Sequence, residues 1–325
     1  MRKLENCIKD FIDGITISRD LDGRIDTSFK SLKTYLEKED SGLHVNRVIM
    51  NGSYLRDTII RPTVENDIDI DVFVFIDEDQ WDSQGVNPKP RSVLNKFKQY
   101  LEGNGDYKGK CRQDRPCITI DLQAYHIDVL PALDKDGTYK IPNNDLENWM
   151  STDPESHTDR LNSVDAKMGG KVKPVIRALK KWKVIEGMNK FPSFHIEEIA
   201  MDIFDSESFT TYEEGIRIWF QNASKHLSPT RFDSKEECDA VREAIKVAKD
   251  KLNKAKALLD DNKEEDAKKL WKEVFDDRKF VIIDATEAKE FSSALTEGRL
   301  KYGAAGLSTT AGRVIAASHG FYGKE

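Results

Sequence analysis

Three aspartates alternate with isoleucine in Asp67-Ile-Asp-Ile-Asp71, and an apolar run, Val72-Phe-Val-Phe-Ile76, follows at once. On a β-strand, side chains two residues apart point to the same face. Asp69 and Asp71 would therefore project together, with Ile70, Val72 and Val74 facing the other way. Carboxylates this close repel each other, which raises at least one pKa, and a divalent cation removes that cost. Hard oxygen ligands suit Mg²⁺, whose remaining ligands are commonly water and substrate phosphate. A second carboxylate strand would complete a two-metal site. Tyr125-His-Ile-Asp-Val-Leu-Pro131 supplies one, with Asp128 among apolar neighbours where a lone charge is expensive. The plainer alternative is a solvated strand face. Phe73 and Phe75 share the parity of the acids, so that face turns apolar further along, which a solvated edge rarely does. Spacing alone leaves two pairs open, Asp67 with Asp69 or Asp69 with Asp71.

Upstream, the β-rich run Val45–Met50 ends in Asn51-Gly52-Ser53, which opens a predicted helix. Thirteen residues separate Ser53 from Asp67. A glycine there lets the backbone approach a phosphate closely, and the serine offers a hydroxyl and an amide.

The elements that must position these groups are legible from periodicity. Ile25, Phe29, Leu32 and Leu36 have helical spacing within residues 24–38. Asp67–Ile76 reads as a strand, Pro88 and Pro90 mark a loop, and residues 92–101 read as a helix. Residues 117–122 and 125–130 read as two more strands. From Leu146 the pattern becomes helical, over 165–185, 193–204 and 238–259. In the last of these, Val241, Ile245, Ala248, Leu252, Ala255 and Leu259 alternate spacings of four and three. Asp260-Asp261-Asn262 breaks the pattern before Ala267, Leu270, Trp271 and Val274 resume it, which predicts a helical hairpin packed as core. The expected class is α+β, divided into a core at 1–145, a helical lobe at 146–301 and a flexible Gly/Ala/Ser-rich tail at 302–325. Gly306–Arg313 in that tail lacks the Gly-Lys-Ser/Thr of a P-loop.

Composition bounds the function. The 325 residues carry 51 Lys and Arg against 58 Asp and Glu, a net charge of −7, which disfavours strong nucleic-acid binding. No apolar stretch is long enough to cross a membrane. The N-terminus lacks a signal-like apolar core, so a cytoplasmic location is expected. Cys7, Cys111, Cys117 and Cys238 form no Cys-x-x-Cys pair, and reduced thiols are expected.

Gly52-Ser53, Asp69-Ile-Asp71 and Asp128 together resemble the nucleotidyltransferase superfamily with the polymerase-β-like fold. That family follows its second acid with hydrophobic residues, which selects Asp69 and Asp71. Lys173-Pro-Val-Ile-Arg-Ala-Leu-Lys-Lys-Trp-Lys183, then Lys190-Phe-Pro-Ser-Phe-His-Ile-Glu-Glu-Ile199, look like the helical half of oligoadenylate synthase, cyclic GMP-AMP synthase and their bacterial relatives. The resemblance covers roughly residues 20–285 and fits the bacterial branch that makes cyclic di- or trinucleotide signals in antiphage (CBASS) defence. It implies a nucleotidyltransferase core with a C-terminal helical lobe, and two Mg²⁺ ions, replaceable by Mn²⁺, on Asp69, Asp71 and Asp128. It places Gly52 and Ser53 at the phosphates, Lys180 on the triphosphate, Ser193 capping a helix and touching phosphate, and Phe194 stacked on the base. A cation and a helix N-terminus favour phosphate, and an aromatic face suits a base. A solvated helix face for Lys180 and core packing for Phe194 are the competing assignments. The implied substrates are nucleoside triphosphates: ATP, GTP or a pyrimidine nucleotide. The tail would receive a protein regulator. A CCA-adding RNA terminal transferase is the alternative enzyme.

Overall fold

A computed structural model of the chain describes residues 3–63, 67–81, 88–114, 116–135 and 137–280, with three short strands beyond residue 300. Helices α1 (Leu4–Ile15) and α2 (Arg19–Leu36) precede strand β1 (Val45–Asn51) and the single turn α3 (Gly52–Leu55). Strand β2 (Asp69–Ile76), the turn α4 (Glu78–Trp81) and helix α5 (Pro90–Glu102) come next. Then follow β3 (Cys111–Asp114), β4 (Cys117–Asp121), β5 (His126–Lys135), β6 (Thr138–Pro142) and β7 (Trp149–Thr152). The remaining helices are α6 (Pro154–Lys167), α7 (Val172–Ile185), α8 (Ser193–Phe204), α9 (Tyr212–His226), α10 (Lys235–Asp260) and α11 (Glu264–Phe275).

The seven strands form one mixed sheet in the order β1-β2-β5-β4-β3, with β6 on β5 and β7 on β6. Every neighbouring pair is antiparallel except β2 and β5. A parallel pair needs a long crossover, supplied here by everything from α4 to β4. Its register sets Asp71 beside Asp128 and Asp69 beside His126. Alternation along β2 does what its sequence implies. Ile70, Val72 and Val74 are fully buried in the main core, with Leu32 and Leu36 of α2 and Val93 and Phe97 of α5. Phe73 and Phe75, on the acids' face, pack with Ala132 and Tyr139 in a second cluster.

The helical part has its own aromatic core. Trp182 meets Trp219 and Phe220 edge to face, with ring centroids 6.2 and 4.8 Å away. Helix α1 packs against α7, α9 and α11, and the Glu5 carboxylate accepts from the Tyr212 and Glu213 amides at 2.8 and 3.1 Å, capping α9. Residues Met1–Lys279 form one compact unit and Phe280–Glu325 a second. The sheet runs on through β7 to Thr152, beyond the 145/146 division expected from sequence. In the second unit, β8 (Lys301–Gly303), β9 (Gly306–Ser308) and β10 (Arg313–Val314) pair antiparallel. The rest of the expected 302–325 tail lies outside the described residues. No helix among the described residues is long and apolar enough to cross a membrane.

One expected helix is two. The stretch read as continuous over 165–185 breaks at Gly169 and Gly170, whose φ of +62° and +78° end α6. These are left-handed conformations that glycine enters without strain. Asp165 restarts the chain: its Oδ1 accepts from the Val172 and Lys173 amides at 2.9 and 3.0 Å, satisfying two first-turn donors of α7. Asp165→Ala is expected to lower unfolding stability by about 1 kcal/mol, and Asp165→Asn by less, in denaturant titrations. An unchanged midpoint for Asp165→Ala would contradict this capping role.

Candidate active site

The parallel pair opens onto a cavity of about 390 Å³. Asp69, Asp71 and Asp128 line one wall. Asp69 is exposed at the start of β2, and Asp71 is partly buried. Burial, then the nearby Asp128 charge, push the Asp71 carboxyl up to about 6, while Arg56 and Lys180 pull the other way. The same two causes raise Asp69. Thr119 of β4 donates its hydroxyl to Asp128 Oδ1 at 2.6 Å, which fixes that carboxylate. Asp67 precedes the strand with 78% of its side chain exposed, so the acids that share the β2 face are Asp69 and Asp71.

Gly52 follows β1, whose Asn51 is the register partner of Asp71. Its φ is +73°, and a Cβ placed there would run into the Asp71 carboxylate. Backbone conformation and space both demand glycine. The Ser53 carbonyl accepts from the Thr58 and Ile59 amides at 2.9 and 3.1 Å, closing a tight loop that lines the cavity.

The facing wall is cationic and organised by one carboxylate. Glu197 is fully buried. Its Oε1 accepts from Lys180 Nζ at 2.7 Å and from the Thr58 hydroxyl at 2.5 Å. Its Oε2 accepts from Arg56 Nε at 2.7 Å and lies 3.1 Å from His157 Nε2. Burial alone would raise this carboxyl, but Lys180, His157 and Arg56 outweigh burial and hold it well below the usual carboxylate range. Burial lowers the Lys180 ammonium, with Glu197 opposing. Lys180 also donates to the Thr58 hydroxyl at 3.0 Å. One turn earlier on α7, Arg177 Nη1 donates to the Asp57 carbonyl at 2.6 Å and to its Oδ1 at 3.0 Å. The Arg-x-x-Lys spacing thus puts two cations on one helix face, both gripping the loop after Ser53.

Lys183, the next cation along that face, donates to Ser193 Oγ at 3.1 Å and lines the cavity. Burial, then Lys180, lower its pKa. Ser193 was expected to cap its helix; the cap position belongs to Pro192, and Ser193 is the first residue of α8. A proline ring has no donor to lose there, and the serine hydroxyl turns to Lys183 instead. Phe194 is 40% exposed at the cavity edge, not core, and its ring stacks on His157 with centroids 4.2 Å apart. Arg231 lies 5.7 Å from the same ring. Sequence reasoning missed Arg56, Thr119, His157 and the role of Lys183. Lys183 and Glu197 were visible inside the quoted motifs; Arg56 and His157 carry no local signal.

The donor set fits a hard divalent cation: three carboxylates on adjacent strands, with Asp69 and Asp71 both raised by burial and by Asp128. Among the described residues no three such side chains converge into a finished cage, so the acids would share a cation with water and phosphate. Metal-free stability should report the crowding. A carboxyl held at about 6 when folded, against about 4 unfolded, stays protonated longer in the folded chain, so its stability contribution falls as pH rises between those values. In EDTA, Asp71→Asn should be more stable than wild type by on the order of 2 kcal/mol at pH 8, with the gap closing near pH 4. A gap independent of pH would refute this. Glu197→Gln should lower stability by about 3 kcal/mol in denaturant titrations, because two buried cations lose their counter-charge.

A family model described as the Second Messenger Oligonucleotide or Dinucleotide Synthetase domain matches residues 2–165, half of the chain. The cyclic AMP-AMP-AMP synthase of Acinetobacter sp. (strain ATCC 27244 / 9458) is 28% identical over 181 residues, 54% of this chain and 50% of that protein. The chain thus spans about half the length of this curated relative. Among solved structures, E. coli MS115-1 CdnC with ATP superposes with a TM-score of 0.70 at 17% identity, covering 86% of this chain and 99% of that one. CdnG of Bradyrhizobium diazoefficiens with GTP gives 0.66 at 13% identity, covering 89% and 99%. At these identities the structures establish a shared fold, the polymerase-β-like nucleotidyltransferase core with its helical lobe. The chain belongs to the Second Messenger Oligonucleotide or Dinucleotide Synthetase domain family.

Proposed function

We propose that the chain is a template-independent nucleotidyltransferase that joins nucleoside triphosphates into a cyclic di- or trinucleotide second messenger, releasing pyrophosphate, in antiphage (CBASS) signalling in the cytoplasm. One observation carries this reading. A single cavity has crowded carboxylates on one wall and crowded cations on the other. Each wall is strained by its own like charges, and a metal-chelated nucleoside triphosphate complements both.

Asp69, Asp71 and Asp128 would hold two Mg²⁺ ions, replaceable by Mn²⁺, which supply charge neutralisation at the donor polyphosphate and a more acidic acceptor hydroxyl. Asp128, whose carboxylate accepts from the Thr119 hydroxyl, would take the acceptor hydroxyl's proton. Gly52 and Ser53 let the loop backbone approach the donor phosphates. Lys183, Ser193 and the first amides of α8 bind the departing pyrophosphate. Lys180 contributes its charge from behind, through the Glu197 cluster. The exposed ring of Phe194 stacks on a base. The names of the relatives support this substrate class: one makes cyclic AMP-AMP-AMP, and others were solved with ATP or GTP. A protein regulator fits as well, since E. coli CdnC is also known in complex with HORMA-deltaN.

The test supplies each labelled nucleoside triphosphate, and all four together, with Mg²⁺, followed by phosphatase and mass spectrometry. A phosphatase-resistant species with the mass of a cyclic di- or trinucleotide is expected without primer. It should fall at least about a hundredfold in Asp69→Asn and in Asp71→Asn, since amides are weak Mg²⁺ ligands. Label appearing only on the 3′ end of an added RNA would overturn the reading in favour of a terminal transferase.

A further inference from the structure

The ring of Phe194 carries a neighbour that the reaction as described leaves without a role. His157, which is not part of the cavity wall, stacks on the ring with the two planes 26° apart. Arg231, also outside the cavity wall, stands over the same ring with its guanidinium carbon 5.7 Å from the centroid. Direct stacking brings atoms to about 3.5–4 Å, so a flat group can lie on Phe194 with the guanidinium at its rim. A guanidinium has five N–H donors and no acceptor. Nη2 of Arg231 donates to Glu198 Oε1, and among the described residues Nε and Nη1 donate to nothing. The side chain is 47% exposed.

The arm that carries Arg231 is held in place. It is the 3₁₀ turn Pro229–Arg231, between α9 and α10. The Ser228 amide donates to His195 Nε2 at 3.0 Å, so that nitrogen bears the lone pair. The ring hydrogen is then on Nδ1, which donates to Glu198 Oε2 at 3.0 Å. Buried His195 thus grips the turn with one nitrogen and the carboxylate that orients Arg231 with the other. Phe232, just after the turn, stacks on Phe191 with centroids 5.9 Å apart, and His195 stands edge-on to both rings. Both Glu198 oxygens are already engaged, so the arm presents donors to whatever lies on Phe194.

We propose that Arg231 sets the base choice at Phe194 in favour of guanine, with His195 as its positioning residue. The proposal rests on the nucleotidyltransferase reading above, which lays a base on Phe194. One edge of guanine carries two adjacent acceptors, O6 and N7, which the paired N–H groups of a guanidinium match. Adenine has an amino donor where guanine has O6, so the same guanidinium meets a donor there. Cytosine also turns an amino group outward, and uracil offers a single carbonyl on that edge.

Titration calorimetry with Mg²⁺ and a non-hydrolysable GTP, and separately a non-hydrolysable ATP, reads the preference without turnover. The wild type should bind the GTP analogue at least about fivefold more tightly. Arg231→Gln, at an exposed position, should weaken the GTP analogue about tenfold and the ATP analogue less than about twofold. A general loosening of the site would weaken both alike. His195→Gln keeps an acceptor for the Ser228 amide and a donor for Glu198, and should retain the preference. His195→Leu keeps neither and should lose it; a folded His195→Leu that still prefers GTP would overturn the positioning role. Equal affinities or a preference for ATP in the wild type, or an unchanged ratio in Arg231→Gln, would overturn the proposal while leaving the nucleotidyltransferase reading intact. A wild type that binds neither nucleotide would remove both.

Discussion

The structure is organised around like charges held close together. Placing Asp71 beside Asp128 on adjacent parallel strands, with Asp69 one step outward, is electrostatically unfavourable in the metal-free chain. The fold sustains it because both strands are anchored from behind. Ile70, Val72 and Val74 are sealed into the main core, and Phe73 and Phe75 close the acid face beyond Asp71. Hydrophobic burial of that size readily outweighs a few kcal/mol of repulsion. Gly52 completes the arrangement by letting the β1–α3 corner lie against the Asp71 carboxylate.

The cationic wall is the counterpart, and Glu197 makes it possible. Arg56 and Lys180 come from segments distant in sequence and would repel each other in a dry site. One buried carboxylate neutralises them and joins the loop after α3 to α6, α7 and α8. Such a cluster adds little net stability over apolar packing, but it fixes geometry. It leaves Lys183 and Ser193 facing the cavity as a linked pair, beside the half-exposed ring of Phe194.

The parts of this design with local periodicity were legible in the sequence. Alternation announced β2 and put Asp69 and Asp71 on one face, and the Gly52-Ser53 corner followed its strand as read. Ser193–Phe204 and the hairpin of α10 and α11 appeared where apolar spacing put them. What failed was set by tertiary partners or single backbone angles. The break at Gly169-Gly170 was overridden in the sequence reading by the apolar pattern that continues on either side, although paired glycines are themselves a helix-end signal. Arg56 pairs with Glu197 across 141 residues, a distance over which one sequence carries no trace. Lys180, read as a phosphate ligand from its motif, does line the cavity, but its hydrogen bonds to Glu197 and Thr58 and the approach of Lys183 to the same cavity could not be read from the motif.

The most direct test of the charge-complementarity account is anomalous diffraction from crystals grown with Mn²⁺ and a non-hydrolysable nucleoside triphosphate. The account predicts two Mn²⁺ peaks contacting Asp69 and Asp71, one of them also contacting Asp128, with the outer phosphates against Lys183 and Ser193. Nucleotide bound with no Mn²⁺ at these carboxylates, or with its polyphosphate away from α7 and α8, would contradict it.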